Sequence, residues 1–410
     1  MKSFRTHIAE AVKSQKNTHM THIEDQVIYG GVDGARQAIL ALRSLRNMLA
    51  GNSNKSFDIS QKWDGAPSLF AGIDPRDGEF FVAKKGIFNK TPKVYKSHAE
   101  IDADASGDLA KKLKIAYTEL KKIGISGVIQ GDILFTKDDL KTETIEGQTY
   151  LTFHPNTIVY AIPADAPEAD EIRSAKLGIV FHTSYTGDSF ETMKAQFGAD
   201  LSGLKKIPTI WMQDAMLRDL TGTATLTEKE TDEITDLLSD AGKIFQKISG
   251  STLREIESNQ EFARMIETFN NTFVRRGEKI ENTRAHVQSL INWIHDKYAQ
   301  EAEGRKTEKG KASVEAKKQE ILKFFSPTNE SNLKLVFDLQ LAIVKVKEVI
   351  IAKLDKLNTL ATFVKTKNGF RTTGTEGFVA IDRLQGGAVK LVNRLEFSQL
   401  NFSQDIIKGW

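Results

Sequence analysis

The stretch "QKWDGAPS" at residues 61–68 decides how the rest of the chain is interpreted. It stands between two extended runs, "SFDIS" and "LFAGI", and places a lysine two positions before an aspartate and a glycine. In this setting Lys62 is either a surface charge in a hairpin or a nucleophile. A Lys-x-Asp-Gly match alone is a weak signal, because a chain of this length shows one by chance in roughly one case in ten. The order of the surrounding segments must therefore decide.

Extended segments lie on both sides of a long helical region. "SFDISQKWDGAPSLFAGIDPRDGEFFVAKKGIF" contains extended runs, and its "DPRDG" carries the proline and glycine typical of a turn. From about residue 200 to 365 the patterns are helical, and "TEKETDEITDLL" opens with a threonine and an acidic first turn. Within that region "EGRKTEKGKAS" is expected to be an exposed loop. Finally, "TEGFVAID" and "AVKLVNRL" predict a closing hairpin.

This order predicts an α+β protein in which a helical insertion interrupts one sheet-containing domain. A division into separate β-rich and helical domains would leave the last hairpin without a sheet. We therefore expect an N-terminal helical segment (1–56), the first part of the sheet domain (57–200), the helical insertion (201–365) and the closing strands (366–410).

The composition of the 410 residues is that of a soluble globular protein, with 40% hydrophobic and 27% charged residues. No apolar run approaches the roughly 18 residues that a membrane span needs, and the start "MKSFRTHIAEAVKS" lacks the apolar core of a signal peptide. The absence of cysteine excludes disulfides, thiolate zinc sites and thiol nucleophiles. We expect a cytoplasmic location, in the host cytoplasm if the protein is viral. The net charge of +3 does not by itself indicate a nucleic-acid partner.

Five short segments follow Lys62 in a defined order: "VAKKG", "QGDIL", "GIVF", "EGFV" and "VKLV". With "KWDG" at the front, this series resembles the ordered motifs of the covalent nucleotidyltransferase superfamily, which includes ATP-dependent DNA and RNA ligases and mRNA capping enzymes. The resemblance covers about residues 57–187 and 370–393. Its two ends, the first motif and the late Glu-Gly and lysine pair, are the most specific. In style the chain is similar to bacteriophage-type ligase homologues.

The resemblance implies an antiparallel-sheet nucleotidyltransferase (adenylation) domain and an enzyme that uses ATP. In such enzymes a neutral lysine amine attacks the α-phosphate, expels pyrophosphate and holds AMP as a phosphoramidate. Lys62 has the position of this nucleophile. Asp64 has the position of the residue that orients the ribose or a metal-bound water, and Gly65 would let the backbone turn close beneath the nucleotide. Gln61 is a candidate for recognising the adenine edge.

The later motifs supply the remaining site residues that the resemblance implies. Glu376 matches the carboxylate that helps to hold a divalent metal, here Mg²⁺, which prefers oxygen ligands. Lys390 matches the lysine that contacts the α-phosphate and neutralises charge during an in-line displacement. Asp132 stands where the family usually has glutamate, and Phe181 where an aromatic ring stacks on the adenine. Lys85 replaces a usual arginine and so lacks its bidentate fork.

A histidine-rich stretch near the start, "THMTHIEDQVIYGG", carries His19, His22, Glu24 and Asp25. Its spacing could place two metal ligands on one helix face, but no second ligand cluster is evident in the sequence. A capped helix start or a surface contact is the favoured interpretation, and a grip on an acceptor 5′-phosphate is the functional alternative. His182 is expected to be a core or rim histidine.

The function that these features favour is an ATP-dependent polynucleotide ligase, with RNA slightly preferred to DNA. The helical insertion would then supply the nucleic-acid surface, with Arg275, Arg276 and the lysines of residues 304–318 as phosphate contacts. Two alternatives stay open. One is a nucleotidyltransferase that modifies a nucleic-acid end or a protein without sealing. The other is a binding protein that keeps the fold and lacks the chemistry.

Overall fold

A computed structural model describes residues 20–51, 57–217, 225–382 and 388–409. Within these ranges the helices are α1 (Gln26–Tyr29), α2 (Gly31–Leu49), α3 (His98–Asp104), α4 (Gly107–Leu120), α5 (Pro167–Ser174), α6 (Glu228–Lys247), α7 (Gly250–Ser258), α8 (Gln260–Arg276), α9 (Thr283–Glu303), α10 (Glu308–Leu322) and α11 (Pro327–Leu354). Shorter helical turns lie at Ile23–Asp25, Lys85–Phe88, Lys137–Asp139, Asp355–Leu357 and Arg394–Ser398.

The strands within the same ranges are β1 (Phe57–Gln61), β2 (Ser68–Ile73), β3 (Phe80–Ala83), β4 (Val128–Thr136), β5 (Lys141–Ile145), β6 (Gln148–Phe153), β7 (Ile158–Pro163), β8 (Leu177–Thr186), β9 (Lys194–Phe197), β10 (Ile210–Asp214), β11 (Ala361–Thr366), β12 (Gly369–Thr372), β13 (Phe378–Asp382), β14 (Ala388–Leu391) and β15 (Ile406–Ile407). Neighbouring strands pair antiparallel except β8 and β10, which are parallel. The protein is therefore α+β, as predicted.

The strands form three sheets. The closing sheet has the order β1-β13-β14, the central sheet β10-β8-β4-β2-β3 with β9 beside β8, and the outer sheet β12-β11-β7-β6-β5 with β15 beside β11. In the closing sheet the predicted C-terminal hairpin pairs with β1 from the start of the domain. In chain order the helical region lies between strands that pair in the outer sheet, β7 before it and β11 after it.

The helical insertion is shorter than the range 201–365 expected for it. The segments β10 and β11 lie inside that range, because each completes a sheet: β10 pairs with β8, and β11 pairs with β7. The expected exposed loop is also mostly helix. Helix α10 begins at Glu308, where the Thr307 side chain accepts a hydrogen bond of 3.1 Å from the Gly310 amide. A cap and the packing against α9 therefore outweigh the polar composition of this stretch.

The start of α6 confirms the helix signal of the sequence. The Thr227 hydroxyl accepts a hydrogen bond from the Glu230 amide, and the Glu230 side chain accepts one from the Thr227 amide. This reciprocal pair satisfies two amides that the first turn of a helix leaves free. Glu230 also contacts Lys353 near the end of α11, at 2.8 Å. The capping residue therefore joins the first and last helices of the insertion.

The N-terminal helices α1 and α2 share a hydrophobic core with the insertion and are not a separate unit. Helix α11 runs through this core, with Leu339, Ile343, Val346 and Ile350 fully buried. Buried residues of α2 and of the closing sheet pack against the same core. A separate core lies between the central and outer sheets, and another between the central sheet and helix α4. No helix in the described ranges has the length and apolar character of a membrane span.

Two buried ion pairs attach the N-terminal segment to the insertion and to the closing sheet. Lys347 of α11 is 1% exposed and donates to Glu24 at 2.7 Å. Arg394, after β14, lies 3.1 Å from Asp25. Burial would raise the pKa of Glu24, but Lys347 holds it below its ordinary value. Burial raises the pKa of Asp25 to about 7, although Arg394 opposes the shift.

Loss of Lys347 should be far more costly than loss of a surface lysine. In Lys347→Met the Glu24 carboxylate loses its closest cation inside the core, so we expect the free energy of unfolding to fall by about 3 kcal/mol. The double variant Lys347→Met/Glu24→Gln should recover much of this loss. Urea denaturation measures both, with Lys356→Met, an exposed position, as the control expected within about 0.5 kcal/mol of the wild type. A cost for Lys347→Met no larger than that of the control would contradict the argument.

Candidate active site

The pairing of β1 with β13 places Lys62 beside Glu376. Gln61 lies opposite Phe378 in the register, so the lysine that follows β1 meets the residues that precede β13. The Lys62 amide donates to the Gly377 carbonyl at 2.8 Å. The Lys62 Nζ donates to Glu376 Oε1 in a short ion pair. The lysine side chain is 31% exposed and the glutamate 14%, so the pair is partly open to solvent. We use the name cleft for the partly exposed surface around Lys62, Glu376, Lys390 and Asp132.

Glycine is required at position 377 for this approach. Its φ is +135°, in a region that side chains disfavour, and a Cβ there would lie 2.4 Å from the Leu391 carbonyl oxygen. The glycine therefore lets the chain carry Glu376 towards Lys62 while β13 runs tightly along β14. This gives a structural reason for the Glu-Gly dipeptide of the sequence.

Lys390 reaches the same place from β14. It lies opposite Val379 in the closing sheet, and Val379 lies opposite Ser60 on β1. Burial and the positive charge of Lys62 lower the pKa of Lys390, whereas Glu376 opposes the shift. The two lysines and the glutamate therefore interact electrostatically, although long stretches of sequence separate them.

Asp132 enters from the central sheet. It lies on β4 opposite Ser68, and its side chain is 20% exposed, with the nearest His182 ring nitrogen at 3.6 Å. Burial raises the pKa of Glu376 to about 7; Lys62 opposes this shift, and the charges of Asp64 and Asp132 add to it. The structure thus brings four of the residues chosen from the sequence into one cleft: Lys62, Asp132, Glu376 and Lys390.

Asp64 is bound within the protein and does not face this cleft as expected. It is 5% exposed, and its oxygens accept hydrogen bonds of 2.7–2.8 Å from the Asn156 side chain and from the Thr157 and Ile158 amides. Its own amide donates to the Tyr160 hydroxyl at 2.8 Å. The expected contact with a ribose or a metal-bound water is therefore corrected: the carboxylate fixes the loop that leads into β7.

Gly65 packs closely against β4. A Cβ at this position would lie 2.6 Å from the Asp132 Cβ and 3.1 Å from the Ile133 carbonyl oxygen. The next amide, of Ala66, donates to that same carbonyl at 2.9 Å. The glycine therefore lets the loop after Lys62 lie directly on the strand that carries Asp132.

Gln61 and Phe181 point away from the cleft, so their expected contacts with the adenine are also corrected. Gln61 is 6% exposed and donates to Asn358 at 3.3 Å. Phe181 is 1% exposed and belongs to the core between the central sheet and α4. Neighbouring residues of a strand face opposite sides. Gln61 and Phe181 each adjoin a cleft residue, Lys62 and His182, and so lie on the other face.

The sequence analysis missed a polar and aromatic surface on the cleft face of the central sheet. The Tyr185 hydroxyl donates to Gln130 Oε1 at 2.7 Å, and Gln130 Nε2 donates to the Ser68 hydroxyl at 3.1 Å. Gln130 lies two residues before Asp132 on the same side of β4, opposite Phe70. The Tyr185 ring lies 5.3 Å from that of Phe88. The sequence features that could have indicated this surface are Gln130 in "QGDIL" and Tyr185 in "FHTSY".

Lys85 lies at the same end of the central sheet. It is exposed and begins the helical turn after β3, where Ala83 pairs with Phe70. Its neighbour Lys84 instead pairs with Asp104 at 3.2 Å. Lys85 therefore lies exposed just after β3, at the end of the strand that pairs with β2.

The histidine-rich segment contacts the closing sheet. His19 lies outside the described residues. His22 is partly buried and forms a parallel bridge with Lys390, and desolvation lowers its pKa to about 3. The described ranges contain no group of three or more histidine, aspartate or glutamate side chains that could hold a metal ion. The expected surface contact of this segment is thus a partly buried contact beside Lys390.

The basic residues expected to contact phosphate differ in their surroundings. Arg276 pairs with Glu278 at 2.8 Å, and Lys311 and Lys318 pair with glutamates within α10. Arg275 has no acidic partner among the described residues, and its guanidinium lies 4.8 Å from the centre of the Phe402 ring. The structure therefore distinguishes Arg275 from the arginine that follows it.

A family model described as "Family of unknown function (DUF6267)" matches residues 17–406. The chain belongs to this family. The match extends over the central, closing and outer sheets and over the helical insertion, so it treats these parts as one unit. No curated protein and no solved structure matches the chain.

The two aspartates of the site should respond differently to the same change. Asp64→Asn removes a buried charge that accepts three hydrogen bonds, so we expect it to lower the free energy of unfolding by about 2–3 kcal/mol. Asp132→Asn changes a partly exposed group without amide partners and should stay within about 0.5 kcal/mol of the wild type. Urea denaturation of the two variants measures this difference. Equal losses would show that Asp132 is structural as well.

Proposed function

We propose that this protein is an ATP-dependent covalent nucleotidyltransferase that acts as a polynucleotide ligase, with Lys62 as the carrier of AMP. In this proposal the central and closing sheets form the adenylation domain, and RNA is preferred to DNA as the acceptor. The observation that carries the proposal is the convergence of Lys62, Glu376, Lys390 and Asp132 in one cleft from four separate segments of the chain. These residue types suit phosphoryl transfer, which depends on positioning and charge neutralisation.

In the first step Lys62 attacks the α-phosphorus of ATP. The bond between Nζ and phosphorus forms as the bond to the pyrophosphate oxygen breaks, pyrophosphate leaves, and the amine gives up a proton to solvent. Ionised Glu376 orients the amine through the hydrogen bond that it accepts from Nζ. Lys390, half-buried beside them, neutralises charge that develops on the phosphate in the transition state.

The carboxylates of the cleft fit a magnesium ion. Glu376 and Asp132 are both partly exposed, and the negative charge of Asp132 adds to the raised pKa of Glu376. Mg²⁺ prefers oxygen ligands and often needs only one or two carboxylates besides phosphate and water. We assign these two residues to the ion, which when bound would reduce the negative charge of the triphosphate.

The nucleoside is assigned to the surface formed by Ser68, Gln130 and Tyr185. The Gln130 amide is held in one orientation by its two neighbours, which suits it to hydrogen-bond a base. The Tyr185 and Phe88 rings add apolar area on the same face. This surface takes the place of Gln61 and Phe181, whose side chains are buried elsewhere.

Two further steps complete the proposed reaction. An oxygen of an acceptor 5′-phosphate attacks the phosphorus of the lysyl-AMP, the phosphorus–nitrogen bond breaks, and AMP becomes joined to the 5′-phosphate. A 3′-hydroxyl then attacks that 5′-phosphate, forms the phosphodiester and releases AMP. An enzyme that modifies ends or proteins would share only the first step, and an inactive binding protein would perform none.

Covalent AMP on Lys62 is the direct test of the proposal. After pyrophosphate treatment to remove AMP carried from the cell, the protein is incubated with ATP and Mg²⁺, and its intact mass is measured. We expect one AMP on the wild type and none on Lys62→Ala, with Lys243→Ala as an exposed-lysine control that behaves as the wild type. The absence of an adduct on folded wild-type protein would refute the nucleotidyltransferase proposal. An adduct without sealing of a nicked substrate would favour the end-modifying alternative.

The ionisation of Glu376 predicts the pH dependence of this first step. The carboxylate must be ionised to bind a cation and to orient the amine, so the adenylylation rate should rise with pH to an inflection near pH 7. Glu376→Gln should be about 100-fold slower and lack this inflection.

Asp132→Asn supplies the matched comparison in the same assay. Removing its negative charge takes away one cause of the raised pKa of Glu376, so the inflection should move to lower pH. If Glu376→Gln still shows the inflection near pH 7, the inflection belongs to the titration of another group.

A further inference from the structure

An exposed aromatic ring covered by an arginine lies at the boundary between the helical insertion and the C-terminal segment. The Phe402 ring is 54% exposed, more than the other exposed large apolar side chains of the described residues, Leu40, Phe197 and Ile407. The Arg275 guanidinium lies 4.8 Å from the centre of this ring. We call these two side chains the Arg275–Phe402 platform.

The backbone on both sides holds the platform in place. Helix α8 ends at Gly277, whose φ of +69° is the left-handed conformation common at helix ends. A Cβ added to Gly277 would lie 3.4 Å from the Gln399 side chain, so the helix end and the C-terminal segment are in contact. The Phe402 amide donates to the Gln399 carbonyl at 3.0 Å, which closes the turn that presents the ring. The platform is therefore built by two packed elements.

The charge of the platform is not neutralised within the described protein. Arg275 has no carboxylate partner there, whereas Arg276, the next residue, pairs with Glu278 at 2.8 Å and lies over the Phe273 ring. An unpaired guanidinium beside an exposed ring is complementary to a phosphate followed by a base.

A short series of contacts connects the platform to the candidate active site. Asn401, adjacent to Phe402, accepts a hydrogen bond of 2.7 Å from the Thr157 hydroxyl. The Thr157 amide donates to Asp64 at 2.7 Å, and Asp64 lies two residues after Lys62. The loop fixed by Asp64 thus positions both the proposed nucleophile and the segment that carries the ring.

We propose that the Arg275–Phe402 platform binds the single-stranded end of the acceptor nucleic acid, with a base stacked on Phe402 and a phosphate at Arg275. The inference rests on the proposed function for its biological meaning. The physical argument uses only three observations. They are the exposed Phe402 ring, the unpaired Arg275 guanidinium, and the hydrogen bonds that connect Asn401 through Thr157 to Asp64. Stacking accepts any base, so the platform would contribute affinity without sequence preference.

The test is binding of short 5′-phosphorylated, fluorescently labelled single strands, RNA and DNA of the same sequence, measured by fluorescence anisotropy. Phe402→Ala should weaken binding about tenfold, and Phe402→Trp should restore it because stacking is retained. Arg275→Ala should weaken binding and reduce the slope of log affinity against log salt by about 1. The RNA and DNA arms show which acceptor the platform prefers.

Two matched variants control for the residue type. Arg276→Ala removes a neighbouring arginine that is already paired, and Phe197→Ala removes another exposed phenylalanine, 41% exposed on β9. Both should bind within about twofold of the wild type. If Phe402→Ala and Arg275→Ala bind as well as these controls, or if the wild type binds neither strand, the platform proposal is overturned.

Adenylylation of each variant separates this inference from the proposed function. We expect Phe402→Ala and Arg275→Ala to form AMP adducts at the wild-type rate, since neither residue lies in the nucleotide cleft. Weakened strand binding with normal adduct formation supports both proposals. Strand binding that depends on the platform in a protein that forms no adduct would retain the platform and refute the enzyme.

Discussion

The structure depends on the pairing of β1 with β13, which brings Lys62 to Glu376 across a sequence separation of 314 residues. Without that pairing the lysine would be an ordinary surface charge at the end of a strand. The entropy cost of closing so long a loop grows only slowly with its length. The chain can therefore hold a complete helical block between the two strands, provided that the block has its own core and is fixed at both ends.

Environment gives the acidic residues of the cleft different roles. Asp64 is surrounded by amide donors and is satisfied within the protein, so it fixes a loop. Glu376 binds Lys62 at the edge of solvent, and burial, with the nearby negative charges of Asp64 and Asp132, raises its pKa to about 7. Asp132 stays partly exposed. The aspartate of "KWDG" is thus structural, whereas the proposed chemistry falls on carboxylates that the protein leaves incompletely bound.

The helical insertion is coupled to the proposed catalytic strand through the N-terminal segment. Glu24 binds Lys347 of α11, and Asp25 binds Arg394, four residues after Lys390. Because these charges are buried, the contact tolerates little rearrangement. The insertion therefore helps to set the position of Lys390 and, through the end of α8, that of Arg275.

The sequence by itself determined the α+β class, the closing hairpin and a helical region between extended segments, and its resemblance to the nucleotidyltransferase motifs singled out the four residues that meet in the cleft. These follow from patterns local to each segment and from the order of the motifs. It did not determine which face of a strand a residue occupies, as Gln61 and Phe181 show. A one-residue shift reverses the face, and only pairing with a neighbouring strand fixes it. The strands β10 and β11 were missed for a related reason, since partners distant in sequence complete their hydrogen bonding. Tertiary structure likewise decided that Asp64 is enclosed by amides, that Gly65 packs on β4, and that Arg275 lies over Phe402, because each depends on atoms that sequence spacing does not bring together.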